Sequence, residues 1–177
     1  MNELEHITQR QRTVFDEDNM TAYAWRVRKY FVDCNVALDI GCGIGYQTAK
    51  LSELLPAVHF IMLDKTGDDE SVNYSDSGYA HNNLELTKQY AEKHIRGSVY
   101  DVDLYDWSHT PGVVYSTLSW GWHYPIEVYL DRVIELQPTY IIFDTRKSVT
   151  VDGYQQIDSF RINRKEETVV FESLLRN

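Results

Sequence analysis

Cysteine is nearly absent from this chain: Cys34 and Cys42 are the only two among 177 residues. They flank an apolar stretch and match no metal-ligand spacing, which argues against a disulfide scaffold or a zinc site and makes both reduced packing residues. Basic side chains are also short, with 17 Lys and Arg against 27 Asp and Glu, for a formal net charge of −10. That field opposes phosphate-rich partners, so neither a nonspecific nucleic-acid binder nor an anionic-membrane binder is expected. No apolar run approaches the ~20 residues that span a bilayer, and the N-terminal stretch lacks the apolar centre of a secretory leader. The expected site of action is the cytoplasm. There is no internal repeat, and the one linker-like segment, residues 66–83 (TGDDESVNYSDSGYAHNN), is polar.

What the chain does contain suffices for one folded domain over residues 1–177, with 43% hydrophobic and 13% aromatic side chains. A single core of this size buries roughly 70% of the unfolded chain's surface. Strand-like and helix-like patterns alternate along it, which predicts an α/β layer fold with a mainly parallel sheet. Residues 1–34 read as a helical segment packing on that core, with its helix over 20–31. A short apolar strand over 36–40 ends in glycines, a helix over 46–55 follows, and Pro56 stops it. Strands are predicted over 58–63, 98–102, 112–118 and 139–143, and a weaker helix over 84–94. The clearest helix covers 125–136, where Ile126, Tyr129, Leu130, Val133 and Ile134 recur at three and four residues behind Pro125. The tail carries an expected helix near 154–159 and two strands, the better one antiparallel over 168–174. Little room remains between Val102 and Val113 for another helix, so the fold is trimmed.

The sequence Asp39-Ile40-Gly41-Cys42-Gly43-Ile44-Gly45 follows a strand and opens a helix. Such a loop turns tightly and lets the backbone approach a ligand at the helix N-terminus. A dinucleotide fingerprint spaces its glycines G-x-G-x-x-G, whereas this loop runs G-x-G-x-G and places Tyr46 at the last required glycine. Asp64 ends the next strand, where its carboxylate could accept both hydroxyls of a ribose. This pairing implies a nucleoside ligand. VALDIGCGIG, followed by a strand ending in Asp64, resembles the first two motifs of the class I S-adenosylmethionine-dependent methyltransferases, a likeness extending over residues 36–143. The resemblance implies a Rossmann-like, doubly wound, mostly parallel seven-stranded sheet and S-adenosylmethionine as cofactor. It implies that Gly41, Cys42, Gly43 and Gly45 admit the methionine and ribose portions, that Asp39 sits near the amino group, and that Asp64 holds the ribose. An acid at the end of the third strand would take the adenine amino group; Asp101 is first choice and Asp103 next.

The segment Ser116-Thr117-Leu118-Ser119-Trp120-Gly121-Trp122-His123-Tyr124-Pro125 is the most unusual in the chain. In a doubly wound sheet it faces the glycine loop, because the first and fourth strands are neighbours where the strand order reverses. His123 is the candidate base for a hydroxyl acceptor, since imidazole accepts a proton at neutral pH. Ser119 and Tyr124 could orient the acceptor, and Trp120 could contact a sulfonium through its face. Alternatively these aromatics are hydrophobic cover and His123 a packing residue. The S-W-G-x-H-Y-P pattern also looks like that of small methyltransferases associated with glycan or phage contexts, which puts sugars at the head of the acceptor candidates.

Tyr23, Trp25 and Tyr30 either roof the cofactor site or dock the first helix, with docking favoured. Residues 66–83 could form a lid, and Arg146 either binds an anionic substrate or forms a surface ion pair. The expected activity is methyl transfer to an oxygen, or less readily a nitrogen, of a small molecule or glycan. An NAD-dependent oxidoreductase and a catalytically silent cofactor-binding module are the alternatives. Nucleic-acid methylation is disfavoured by the absence of a basic stripe.

Overall fold

The computed structural model describes residues 17–65, 83–161 and 167–176. Its frame is a seven-stranded sheet in the order β3-β2-β1-β4-β5-β7-β6. The strands are β1 (Val36–Ile40), β2 (His59–Asp64), β3 (Gly97–Asp101), β4 (Val113–Ser116), β5 (Tyr140–Thr145), β6 (Tyr154–Phe160) and β7 (Glu167–Ser173). The first five are mutually parallel; β7 runs antiparallel to β5 and to β6. The helices are α1 (Glu17–Val27), extended by a 3-10 turn over Arg28–Phe31, α2 (Tyr46–Leu54), α3 (Leu84–His94) and α4 (Glu127–Glu135). The α/β architecture expected from the alternating patterns is therefore present. No helix intervenes between β3 and β4, as the short connection predicted. Among the described residues no helix is long and apolar enough to cross a membrane.

Alternation along each central strand feeds two cores, one on each face of the sheet. Leu38, Ile40, Ile61, Leu63, Val114, Ile141 and Phe143 pack with Tyr129 and Val133 of α4. Ala37, Phe60, Met62, Val113, Tyr115 and Ile142 point the other way, toward Tyr23, Ala24 and Val27 of α1 and Leu51 of α2. Asp39 lies between Leu38 and Ile40 and so shares the α1–α2 face, where only 3% of it is exposed. That burial governs its chemistry.

One element differs in kind from its expectation. Residues 154–160 form the edge strand β6, not a helix. Tyr154 and Ile157 alone do not make an apolar stripe of helical period, while pairing with β7 satisfies the backbone on one side. Asp158 of this strand receives Arg26 at 3.1 Å, Lys29 at 3.1 Å and the Tyr30 hydroxyl at 2.6 Å, tying the N-terminal helix to the sheet edge. Tyr23 and Tyr30 are buried in this docking, and Trp25 is half exposed beneath Arg28. Smaller differences are end effects. The fourth strand stops at Ser116, because Leu118 turns into the left-handed region at φ 54°. The fourth helix begins at Glu127, two positions later than expected.

Candidate active site

Strand order reverses between β1 and β4, and the carboxyl ends of these strands are where a sheet of this topology offers a crevice to a ligand. The glycine loop leaving β1 is held from below by β2: the N–H groups of Gly41 and Cys42 both donate to the Leu63 carbonyl, at 2.7 and 3.1 Å. Gly43 N–H donates to Asp64 Oδ2 at 2.5 Å, and the Gly43 carbonyl accepts from Thr87 Oγ1 at 2.8 Å. All three glycines have positive φ, 73°, 55° and 86°. Their surroundings differ. A side chain on Gly41 would run into Ser119 and Tyr124, and one on Gly45 into Met62, whereas among the described residues nothing lies within 4 Å of the position a Gly43 side chain would take. Gly43 therefore borders open space, a cradle that any side chain would fill.

The facing segment is a tight turn. Trp122 and His123 N–H groups both donate to the Ser119 carbonyl, Gly121 (φ 86°) pairs with Tyr124, and Leu118 N–H donates to Asp144 Oδ2 at 2.9 Å. Asp144 also accepts from Thr168 Oγ1 at 2.6 Å, so β5 and β7 together position this turn. Its side chains separate by destination. Ser119 Oγ and the Tyr124 hydroxyl lie 3.1 Å apart and seat against Gly41, bringing the two loops together as expected. Burial and nearby Asp64 push the Tyr124 phenol up, so it stays protonated at neutral pH. Trp120 departs from expectation. It has no exposed surface, its indole N–H donates to the Ile126 carbonyl at 2.7 Å, and its ring packs on Phe143, so it belongs to the core and not to the crevice wall. His123 is exposed at the rim, and partial desolvation followed by the Arg146 charge lowers its pKa.

Three carboxylates gather below the loop. Asp39 accepts a short hydrogen bond from Thr48, whose hydroxyl also meets the Tyr115 hydroxyl at 2.9 Å. Burial raises Asp39 to about 7, opposed by the Thr48 hydrogen bond. Asp64 is raised to about 6, again by burial first, with the Lys65 and Gly43 N–H groups pulling the other way and the Asp101 charge adding to the rise. Asp64 and Asp101 are register partners on β2 and β3. Asp101 is half-buried and accepts the Asp103 N–H at 2.9 Å, while Asp103 is exposed with Lys65 Nζ 4.0 Å away. A file of rings, Tyr105, Trp107, Tyr129 and Tyr124, runs at centroid spacings of 5.5, 5.8 and 6.0 Å from the end of β3 toward the glycine loop.

Thr48, Tyr115 and Thr87 escaped the sequence reading, and Asp144 is placed by it only at the end of the fifth strand, without a role. Tyr115 was within reach, because it is the register partner of Asp39 across β1 and β4. Thr87 and Asp144 carry no local motif. Cys34 and Cys42 are both free thiols, and burial raises each. Residues 66–82 of the expected lid lie outside the described residues; Asn83 caps α3 by accepting the Leu86 N–H at 3.1 Å.

No protein-family model matches the sequence, and no curated protein matches it. Solved structures do match the fold. Human N-acetylserotonin methyltransferase in complex with SAM superposes with a TM-score of 0.57 at 11% identity, over 96% of this chain and 55% of that one. A Staphylococcus aureus protein provisionally assigned as a caffeoyl-CoA O-methyltransferase gives 0.58 at 10% identity, over 98% and 93%. The mitomycin 7-O-methyltransferase gives 0.57 at 11% identity, over 97% and 61%. The fold is that of the class I methyltransferases. The chain spans about half the length of the human enzyme and nearly all of the S. aureus protein.

Proposed function

We propose that this protein is an S-adenosylmethionine-dependent methyltransferase acting on an oxygen of a small molecule. The observation that carries the reading is the charge of the crevice. Asp39, Asp64 and Asp101 converge on a glycine loop whose central glycine opens onto free space. A dinucleotide would bring a pyrophosphate dianion into this field, whereas S-adenosylmethionine brings a sulfonium and an ammonium, which relieve buried carboxylates. Tyr46 at the position of a third dinucleotide glycine is buried and closes that alternative further. The solved relatives, two of them named O-methyltransferases and one holding SAM, favour the same cofactor and an oxygen acceptor.

Asp64 would accept the ribose hydroxyls, Gly41, Cys42, Gly43 and Gly45 would admit the adjoining chain, Asp39 would face the amino group through Thr48, and Asp101 would accept from adenine. When bound, the cofactor supplies an electrophilic methyl group. The protein's task is then to align the acceptor, exclude water and remove a proton. His123 is the group that takes the acceptor hydroxyl's proton, being neutral at physiological pH beside Arg146. Tyr124 and Ser119 line the approach. Sugars and other hydroxylated small molecules are the acceptor candidates. Incubation with methyl-labelled cofactor and a panel of hydroxylated acceptors, read by mass spectrometry, tests the activity: a labelled product that requires His123 supports it, and cofactor binding without transfer to any acceptor would make the protein a binding module instead.

A further inference from the structure

Arg146 leaves β5 one residue past its last member, Thr145, and stands at the rim of the crevice beside the turn that carries His123. Its guanidinium carbon lies 3.6 Å from the centroid of the Trp122 ring. Stacking of this kind covers a face of the guanidinium and leaves its N–H edge for a partner, the geometry that pairs two parallel donors with a carboxylate or phosphate. That edge has no acidic partner among the described residues. Among the described residues Arg26, Lys29, Lys50, Lys65 and Arg161 are each within ion-pair distance of an Asp or Glu, whereas Arg146 is not, a condition it shares with Arg28, Lys88, Lys93, Arg96, Arg132 and Lys147. Asp144, two residues before it, has its oxygens engaged by Leu118 and Thr168. What sets Arg146 apart is its place: it is stacked on Trp122 and close enough to His123 for its charge to act on the imidazole.

We infer that Arg146, held on Trp122 beside His123, anchors a carboxylate or phosphate carried by the methyl acceptor. The inference rests on the methyltransferase reading and narrows its substrate class to anionic hydroxylated molecules such as a hydroxy acid, a uronate or a sugar phosphate. The protein's acids and the acceptor's anion are thereby segregated: Asp39, Asp64 and Asp101 gather below the glycine loop, and Arg146 stands beside the facing turn. An anion seated on Arg146 would place the rest of a small acceptor next to His123.

The test uses the full chain labelled with 15N and three probes, benzoate, benzamide and inorganic phosphate, with and without S-adenosylhomocysteine. The Trp122 indole and Arg146 Nε–H signals, assigned through Trp122→Phe and Arg146→Gln, are followed through each titration. Benzoate or phosphate should shift them saturably, benzamide should not, and Arg146→Gln should weaken anion binding by about tenfold or more. Whichever anion binds more tightly identifies the source. Equal response to benzamide, no saturable shift with either anion, or unchanged benzoate affinity in Arg146→Gln would overturn the inference. S-adenosylhomocysteine binding is read in the same samples, so failure of the anion arm with intact nucleoside binding sinks the anchor alone. Anion binding without nucleoside binding sinks the methyltransferase reading instead.

Discussion

At the scale of single residues, three titrating groups, Asp64, Asp39 and His123, sit in environments that set different pH signatures. In the proposed role Asp64 accepts two ribose hydroxyls as a carboxylate, and burial raises it to about 6. Affinity for S-adenosylhomocysteine should therefore fall as the pH drops through about 6, well above the range of an ordinary carboxylate. Calorimetry across pH 5–8 checks this, and Asp64→Ala should lose about 2–4 kcal/mol of binding at pH 7.5. Asp39 acts on stability. A carboxyl raised to about 7 in the folded state holds its proton more tightly there than in the unfolded chain, so stability is fullest in mild acid and declines as the pH rises toward 7. Asp39→Asn should flatten this decline, by on the order of 2 kcal/mol between pH 4 and 7.5 in urea unfolding. His123 has the reverse direction: partial desolvation and the Arg146 charge keep it neutral further into acid. Turnover should persist below pH 6.5 and fall only under the depressed value, and His123→Ala should cost about 10²–10³ in turnover with cofactor affinity nearly unchanged. Unaltered turnover in that variant would remove the base role.

At the scale of elements, the glycine loop separates folding from binding. Gly41 and Gly43 both need positive φ, but only Gly41 is backed by protein, against Ser119 and Tyr124. Gly41→Ala should lower thermal stability because the facing turn must move as well as the backbone strain. Gly43→Ala should cost only the ~1–2 kcal/mol of a left-handed non-glycine residue while blocking the nucleoside. Melting temperatures and binding isotherms of the pair distinguish the two cases. This loop was the most legible part of the chain, because glycines of forced conformation and a strand-terminal acid are local signals. Trp120 shows where legibility stops. Its neighbours in sequence face the crevice and the rim, yet the positive-φ turns at Leu118 and Gly121 send its ring into the core. β6 failed similarly: its partner β7 lies beyond a segment of the chain, and no local period in 154–160 announces an edge strand held by Asp158.

At the scale of the whole molecule, the mainly parallel sheet was legible in the alternation of short apolar strands with helices, although β3 and β4 are joined without one. The antiparallel return of β7 was legible as a separate apolar run at the C-terminus. The acceptor was not legible, since it depends on side chains brought together from β4, β5 and the turn between β4 and α4. The charge asymmetry of the crevice, acids under the glycine loop and Arg146 across from them, exists only in the folded chain. The most direct measurement of the central claim is calorimetric titration of the wild-type protein with S-adenosylmethionine and, separately, NADH. The account predicts saturable binding of S-adenosylmethionine that Asp64→Ala weakens, with none for NADH; binding of NADH alone, or of neither, would contradict it.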